Sequence, residues 1–330
     1  MHLLEINKEN YIGQADPFIF EAGGKFYIYT TGSDGIYAYF ADDLFGKWNF
    51  YGRVFTYEGK GVHDFWAPSV IEIDGTYYLY CSFEFFDDEP DQGGHHQAMH
   101  VSRSVIISPS LQSLSSSSSK SPLGPFENAK QLLHPFSIDS HVVKNENGLF
   151  IFYSTNTFEG ERPGTYIVCD RLLTPEKAEG KPVTMLTPTL DEDIYMRDRY
   201  KKGENWHTIE GAFYFKEGDW QYLMYSGNCY LQPTYYIGYA RAKTDETDLT
   251  KIKFEKYPDE NTYHPVMKAN EFEEGTGHHS MIKYKGQWYA IYHARDIEDD
   301  GLAGDRRNAR ICKLHVNDGI ITSEVYENHI

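Results

Sequence analysis

The sequence predicts an all-β chain folded as a five-bladed β-propeller, and three observations predict it. A short phrase recurs five times, a tight turn followed by aromatic-rich alternation that ends in Tyr29, Tyr80, Tyr153, Tyr225 and Tyr292. At each recurrence a chemically loaded residue stands thirteen to fifteen positions upstream of that tyrosine: Asp16, Trp66, Asp139, Glu210 and His278. The units repeat at roughly 50–70 residues, which leaves room for a four-stranded antiparallel unit with its loops. Small antiparallel sheets in series bury their faces by stacking radially. Equivalent positions of successive units then lie around one axis, so the five offset residues are expected to meet at one mouth.

Each unit reads as a hairpin with further strands. The first is GGKFYIYT, with the turn at Gly23-Gly24. In the second, Pro68–Ile73 is a strand, Asp74-Gly75 a tight turn and Thr76–Tyr80 the returning strand. Asp-Gly between alternating apolar runs is a strong short-range hairpin signal. The third unit carries NGLFIFYS, the fourth EGDWQYLMYS with a further strand over Tyr235–Arg241, and the fifth KGQWYAIYH. The 27 tyrosines are mostly sheet packing, because aromatic rings fit a pleated, half-buried surface. The repeats occupy nearly all of the 330 residues, so the chain reads as one domain over 1–330. A serine-rich insert at about 102–121 interrupts the second unit and cannot bury enough apolar surface to order itself. Other polar inserts at 86–96, 191–207 and 297–307 are placed to rim a site.

Charge excludes whole classes of partner. Forty-nine acidic residues against 31 basic give a net charge of −18, which opposes binding to nucleic acid or an anionic membrane. The four cysteines, Cys81, Cys169, Cys229 and Cys312, have no metal-ligand spacing and read as free buried thiols. The first residues, MHLLEINKEN, show no basic segment followed by an apolar run, and no stretch reaches membrane-spanning length. The expectation is a cytoplasmic protein. His95-His96 sits in a polar loop, and adjacent histidines point to opposite faces of a strand, so it does not read as a metal site.

Three acids at one mouth suit the cleavage of a bond between sugars. One carboxylic acid protonates the leaving oxygen while a carboxylate acts on the other face. The acid has to keep its proton near neutral pH, and burial or a neighbouring carboxylate raises its pKa to that end. An arbitrary Asp or Glu is a solvated surface or turn residue. Here the repeat register and the tight contexts Ala15-Asp16-Pro17, Ile138-Asp139-Ser140 and Ile209-Glu210-Gly211 favour a site.

The combination Gln14-Ala15-Asp16-Pro17, Phe65-Trp66-Ala67-Pro68-Ser69, Ser121-Pro122-Leu123-Gly124-Pro125-Phe126, Ile138-Asp139-Ser140, Glu210-Gly211, Gly277-His278-His279-Ser280 and Tyr292-His293 resembles glycoside hydrolase family 43. The resemblance runs from about Ala15 to Arg307. It implies a five-bladed propeller and an inverting β-xylosidase, α-L-arabinofuranosidase or arabinanase. It also implies Asp16 as general base, Glu210 as general acid and Asp139 as the residue that raises the acid's pKa. An inverting pair stands roughly 6.5–9.5 Å apart to admit water. By the same resemblance Trp66 walls the sugar pocket and Arg307 reaches a sugar hydroxyl. His278 touches the substrate or a bound metal, usually calcium, although no cofactor is needed for the chemistry. Ala212 and Ser140 stand where the family often has proline, which bears on subfamily rather than on reactive groups. The expected function is exo-acting release of xylose or arabinose from plant-derived oligosaccharides. The alternatives are a propeller that only binds glycan or protein, and a propeller glycosidase or phosphorylase of other sugar specificity.

Overall fold

The strands follow the turn signals. A computed structural model describes residues 2–5, 12–58, 62–83, 98–104, 120–134, 136–297 and 306–324. Most of the serine-rich insert, all but the last residues of the 297–307 insert, and His95-His96 with its polar stretch lie outside these residues. The first four strands, β1 (Phe18–Ala22), β2 (Lys25–Thr30), β3 (Ile36–Ala41) and β4 (Asn49–Phe55), pair in sequence as an antiparallel sheet. A second such sheet holds β5 (Trp66–Ile73), β6 (Thr76–Phe83), β7 (Ala98–Ser104) and β8 (Phe126–Gln131). Next come β9 (Ile138–Asn145), β10 (Gly148–Thr157) and β11 (Gly164–Thr174), with the short β12 (Lys177–Ala178) and β13 (Val183–Leu186) both paired to β11. After β14 (Ile194–Met196) follow β15 (Trp206–Glu217), β16 (Trp220–Gly227), β17 (Tyr236–Lys243) and β18 (Glu255–Lys256). The last sheet holds β19 (Glu273–Tyr284), β20 (Gln287–Asp296), β21 (Asn308–Asn317) and β22 (Ile320–Glu324). Among the described residues the helical segments are two 3-10 turns, Asp191–Asp193 and Leu249–Lys251, and no helix is long and apolar enough to cross a membrane. The chain is all-β.

One junction departs from separate units. The strands β9–β18 form a single ten-stranded sheet, because Gly164 and Thr165 of β11 pair in parallel with His207 and Thr208 of β15. Gly164 permits the approach: a Cβ there would lie 1.9 Å from the His207 carbonyl oxygen.

The recurring tyrosines occupy the second strand of each unit: β2, β6, β10, β16 and β20. These strands are buried on both faces over most of their length, whereas β4 and β8 are largely exposed. Apolar packing accounts for the difference. Five core clusters lie between consecutive units, and each draws residues from two of them. Tyr29 and Ile36 meet Leu79 and Cys81; Tyr80 and Met99 meet Val142 and Ile151; Phe150 and Ile167 meet Ile209 and Leu223. Phe213 and Met224 meet Met281 and Ala290, and finally Ile282 and Ile291 of the last unit meet Ile19 and Ile28 of the first. The circuit closes. Burying a large apolar side chain contributes about 1.5–3 kcal/mol, so each shared core resists separation of its two units. The amino-terminal segment seals the seam: His2 bridges to Arg310, Leu3 N–H donates to the Ala309 carbonyl at 2.9 Å, and Leu4 joins the last cluster.

Candidate active site

A backbone device places the site residues. Asp16, Ala67, Asp139, Gly211 and His278 all have positive φ, between 41° and 62°. Each stands at or next to an offset residue, just before or within its unit's first strand. The β5–β6, β9–β10, β15–β16 and β19–β20 ladders slip register at these points. A bulge adds a residue and bends the strand, which re-aims the side chain there. Left-handed backbone at a non-glycine residue costs about 1–3 kcal/mol and persists where the surroundings over-determine it. Four of the five positions carry such a residue.

The structure brings four of the five offset side chains together. Asp16, Asp139 and His278 line one cavity of about 10 Å³ together with Pro68, His141 and Ala212. Glu210 is brought in beside them: Asp139 Oδ2 accepts from the N–H of Gly211 at 3.1 Å, and His278 N–H donates to Ser226 Oγ, the partner of Glu210 across the ladder, at 2.8 Å. Arg307 joins the cluster directly, its Nη1 donating to Asp16 Oδ1 at 3.0 Å. Trp66 opens β5, half-buried, one residue before the left-handed Ala67.

Asp16 is held by polar contacts from four directions, and its own N–H donates to His293 Nδ1 at 3.1 Å. Besides Arg307, Thr31 Oγ1 donates to its Oδ2 at 2.5 Å, and the Nδ1 atoms of His278 and His293 each lie 3.3 Å from its Oδ1. The same Thr31 oxygen accepts from Ala67 N–H at 2.9 Å, tying the first unit to the second. Burial on its own would raise the Asp16 carboxyl, but the Arg307 charge, with the polar contacts of His278 and His293, outweighs it and holds the group well below the usual carboxylate range. Glu210 feels the Arg307 charge only as the smallest of the influences on it. Burial pushes it up to about 7; the hydrogen bond from Tyr235 Oη to Oε1, at 2.8 Å, pulls down, and the Asp16 charge adds to the rise. Asp139 is raised well above the usual range, first by burial and then by the charges of Glu210 and Asp16. The Glu210–Asp139 pair therefore titrates as a unit and retains a proton at neutral pH. His278, His279 and His293 are held neutral by burial.

Calcium takes six to eight oxygen ligands. At His278 the nearest carboxylate is Asp16, and both of its oxygens are engaged, by Arg307 and by Thr31. Among the described residues no group of three or more His, Cys, Asp or Glu could hold a metal ion. The donors present do not fit direct calcium ligation at His278, and no step below runs through a metal.

Four contributors carried no sequence signal for their role: Thr31 and His293 at Asp16, Tyr235 at Glu210, and Tyr230, over whose ring the Arg307 guanidinium lies at 4.0 Å. The folded contacts reveal them: His293 and Tyr230 act across unit boundaries, Thr31 and Tyr235 within their own units.

Comparison with known proteins gives the family and its fold. Residues 12–321 match the sequence profile described as Glycosyl hydrolases family 43. The chain is 24% identical over 318 residues to an extracellular exo-α-(1→5)-L-arabinofuranosidase of Cellvibrio japonicus (strain Ueda107), covering 91% of this chain and 83% of that protein. A probable arabinan endo-1,5-α-L-arabinosidase A of Aspergillus flavus is 24% identical over 247 residues, 72% of this chain, which spans 63% of that enzyme's length. The crystal structure of a thermostable family-43 glycoside hydrolase superposes with a TM-score of 0.74 at 24% identity, covering 99% of this chain and 96% of the other. The cytoplasmic expectation does not stand, because the relative that covers 91% of the chain is named an extracellular enzyme. That expectation rested on the composition of ten residues, which do not determine where a folded chain acts.

Proposed function

We propose a reaction for this site from one premise: the chain belongs to glycosyl hydrolases family 43 and is a glycosidase. The reaction is release of a pentose with inversion at the anomeric carbon. Arabinofuranose is the first candidate, because both curated relatives named above are arabinan-type enzymes. The chain reads as a single five-bladed β-propeller, the ten-stranded sheet counting as two blades divided at the Gly164–His207 junction.

One observation carries the assignment: equally buried carboxyls are held in opposite states. Asp16 stays ionised, and the Glu210–Asp139 pair keeps a proton. In the step itself, Asp16 orients a water and takes its proton as the water oxygen bonds to the anomeric carbon. The bond from that carbon to the leaving oxygen breaks, and Glu210 gives its proton to that oxygen. A carboxylate with a low pKa is a weak base, but an oxocarbenium-like transition state makes little demand on the nucleophile. Asp139 completes the assignment as the group whose charge keeps Glu210 protonated. Arg307 and His278 fix Asp16, and Trp66 offers a ring face to the sugar.

The test uses Asp16→Asn and Glu210→Gln. Loss of a general acid or base costs about 10²–10⁴-fold. Asp16→Asn should lose that much on every pentoside. Glu210→Gln should lose it on oligosaccharides and far less on dinitrophenyl pentosides, whose leaving group needs no proton. NMR of the first-formed sugar reports the anomer. Equal losses for Glu210→Gln on both substrates, or a retained anomer, would refute the roles.

A further inference from the structure

His293 stands between the base and the acid. Its ring is fully buried on β20. Nδ1 accepts from the N–H of Asp16 at 3.1 Å. The ring lies against that of Tyr235, with centroids 5.8 Å apart and planes 14° from parallel. Tyr235, also fully buried, donates from Oη to Glu210 Oε1 at 2.8 Å. One imidazole thus joins an aspartate that precedes the first strand to a glutamate of the fourth unit.

The contact with Asp16 belongs to a pattern. At four of the five left-handed positions a side chain of the preceding unit accepts the N–H of the kinked residue: Thr31 Oγ1 from Ala67, Asp139 Oδ2 from Gly211, Ser226 Oγ from His278 and His293 Nδ1 from Asp16. Such an acceptor helps to over-determine the left-handed backbone, and with it the direction of the side chain. Hydroxyls serve at two of these junctions and a carboxylate at a third. At the seam the acceptor is a ring, and a ring has a face left for a second contact.

Packing alone does not call for a histidine here. Nε2 is buried with no hydrogen-bond partner among the described residues, which is costly. A phenyl ring would fill the same space without that cost. Burial holds the imidazole neutral, which leaves Nδ1 a lone pair with which to accept. The stack is provided for as well. Gly277 pairs with His293 across the β19–β20 ladder and leaves room for the Tyr235 ring, since a Cβ there would lie 1.9 Å from it.

We propose that His293 is a positioning residue that fixes the span between base and acid, holding Asp16 by its N–H and Glu210 through the stacked ring of Tyr235. This rests on Asp16 being the base and Glu210 the acid. Two substitutions separate the two contacts. His293→Phe removes the acceptor and keeps the stack. His293→Asn can set an amide oxygen near the place of Nδ1 and removes the ring. Each is assayed by kcat/KM on a pentose oligosaccharide and on a dinitrophenyl pentoside, whose leaving group needs no proton. His293→Phe disturbs the base, so it should lose about ten- to a hundredfold on both substrates. His293→Asn disturbs the acid, so it should lose about three- to tenfold more on the oligosaccharide than on the dinitrophenyl pentoside. A His293→Phe protein within twofold of wild type on both substrates, or a His293→Asn protein whose two losses match, refutes the link. If one variant fails to fold by circular dichroism, the other decides. Glu210→Gln, run alongside, separates the failures: if its losses on the two substrates are also equal, the acid assignment is wrong and this inference falls with it.

Discussion

Replacing Tyr235 by Phe removes one oxygen and leaves the ring, so it isolates the only side-chain hydrogen bond found to Glu210 among the described residues. The ring itself is fully buried and stacks on His293 at 5.8 Å, 14° from parallel, so Phe keeps the packing. The sign follows from which form the bond favours. Burial holds the Tyr235 hydroxyl protonated, so it donates, and a donor stabilises the ionised carboxyl. Its removal raises the Glu210 pKa from about 7. A hydrogen bond to a charged group contributes about 1.5–3 kcal/mol, and 1.36 kcal/mol is one pKa unit, so the rise is about one to two units. An acid must be protonated to act, so activity is lost as pH rises through its pKa. The alkaline limb of kcat/KM, near 7 in the wild type, should therefore move up to about 8 or above. At pH 8 the protonated fraction would be roughly fivefold greater than in the wild type. The assay is a pH profile of kcat/KM on a pentose oligosaccharide, with circular dichroism as the check on folding. A limb that stays in place, or moves down, would show that Glu210 is not the titrating acid.

Two other substitutions act on the same cluster. Arg307→Met takes away the strongest charge holding Asp16 ionised, while its burial remains. The Asp16 pKa should rise by roughly 1–3 units, and an acid limb should appear at correspondingly higher pH in the kcat/KM profile; an unchanged acid side would mean that Arg307 does not set the base. Gly277→Ala would put a Cβ 1.9 Å from the ring of Tyr235, which is fully buried and cannot yield. Overpacking of this kind costs about 1–3 kcal/mol, readable as a lower urea midpoint, and it should weaken the Tyr235–Glu210 contact so that the alkaline limb moves in the same direction as in Tyr235→Phe.

Much of this was legible in the sequence because one backbone device repeats. The left-handed residue stands thirteen or fourteen positions before the recurring tyrosine in all five units, a tighter spacing than that of the reactive side chains. The looser spread of the side chains has a local cause: in the second and fourth units the kink falls on Ala67 and Gly211, one residue after Trp66 and Glu210. Periodicity reports what each unit does alone. It says nothing of which side chains meet, within a unit or across its boundary, so Thr31, Tyr230, Tyr235 and His293 gave no sign of their partners. Nor did it foresee the parallel pairing at Gly164, which depends on a backbone approach that only a missing Cβ permits.

The states of the three acids follow from where the circuit closes. Asp16 stands before the first strand, whereas its partners His278 and His293 lie on β19 and β20, and Arg307 immediately precedes β21. The base is thus assembled across the seam between the two ends of the chain. Gln14 reinforces that seam: its N–H donates to the Arg307 carbonyl at 3.1 Å, and its Oε1 accepts from Ala309 N–H at 3.0 Å. Glu210 and Asp139 meet across the β9–β18 sheet. Opening the seam would strip Asp16 of Arg307 and leave burial to protonate it. The acid pair would lose the Asp16 charge that adds to the rise of both carboxyls, but it would keep its burial and the contact of Asp139 with Gly211. The base is the part of the site that depends most on the ring being closed.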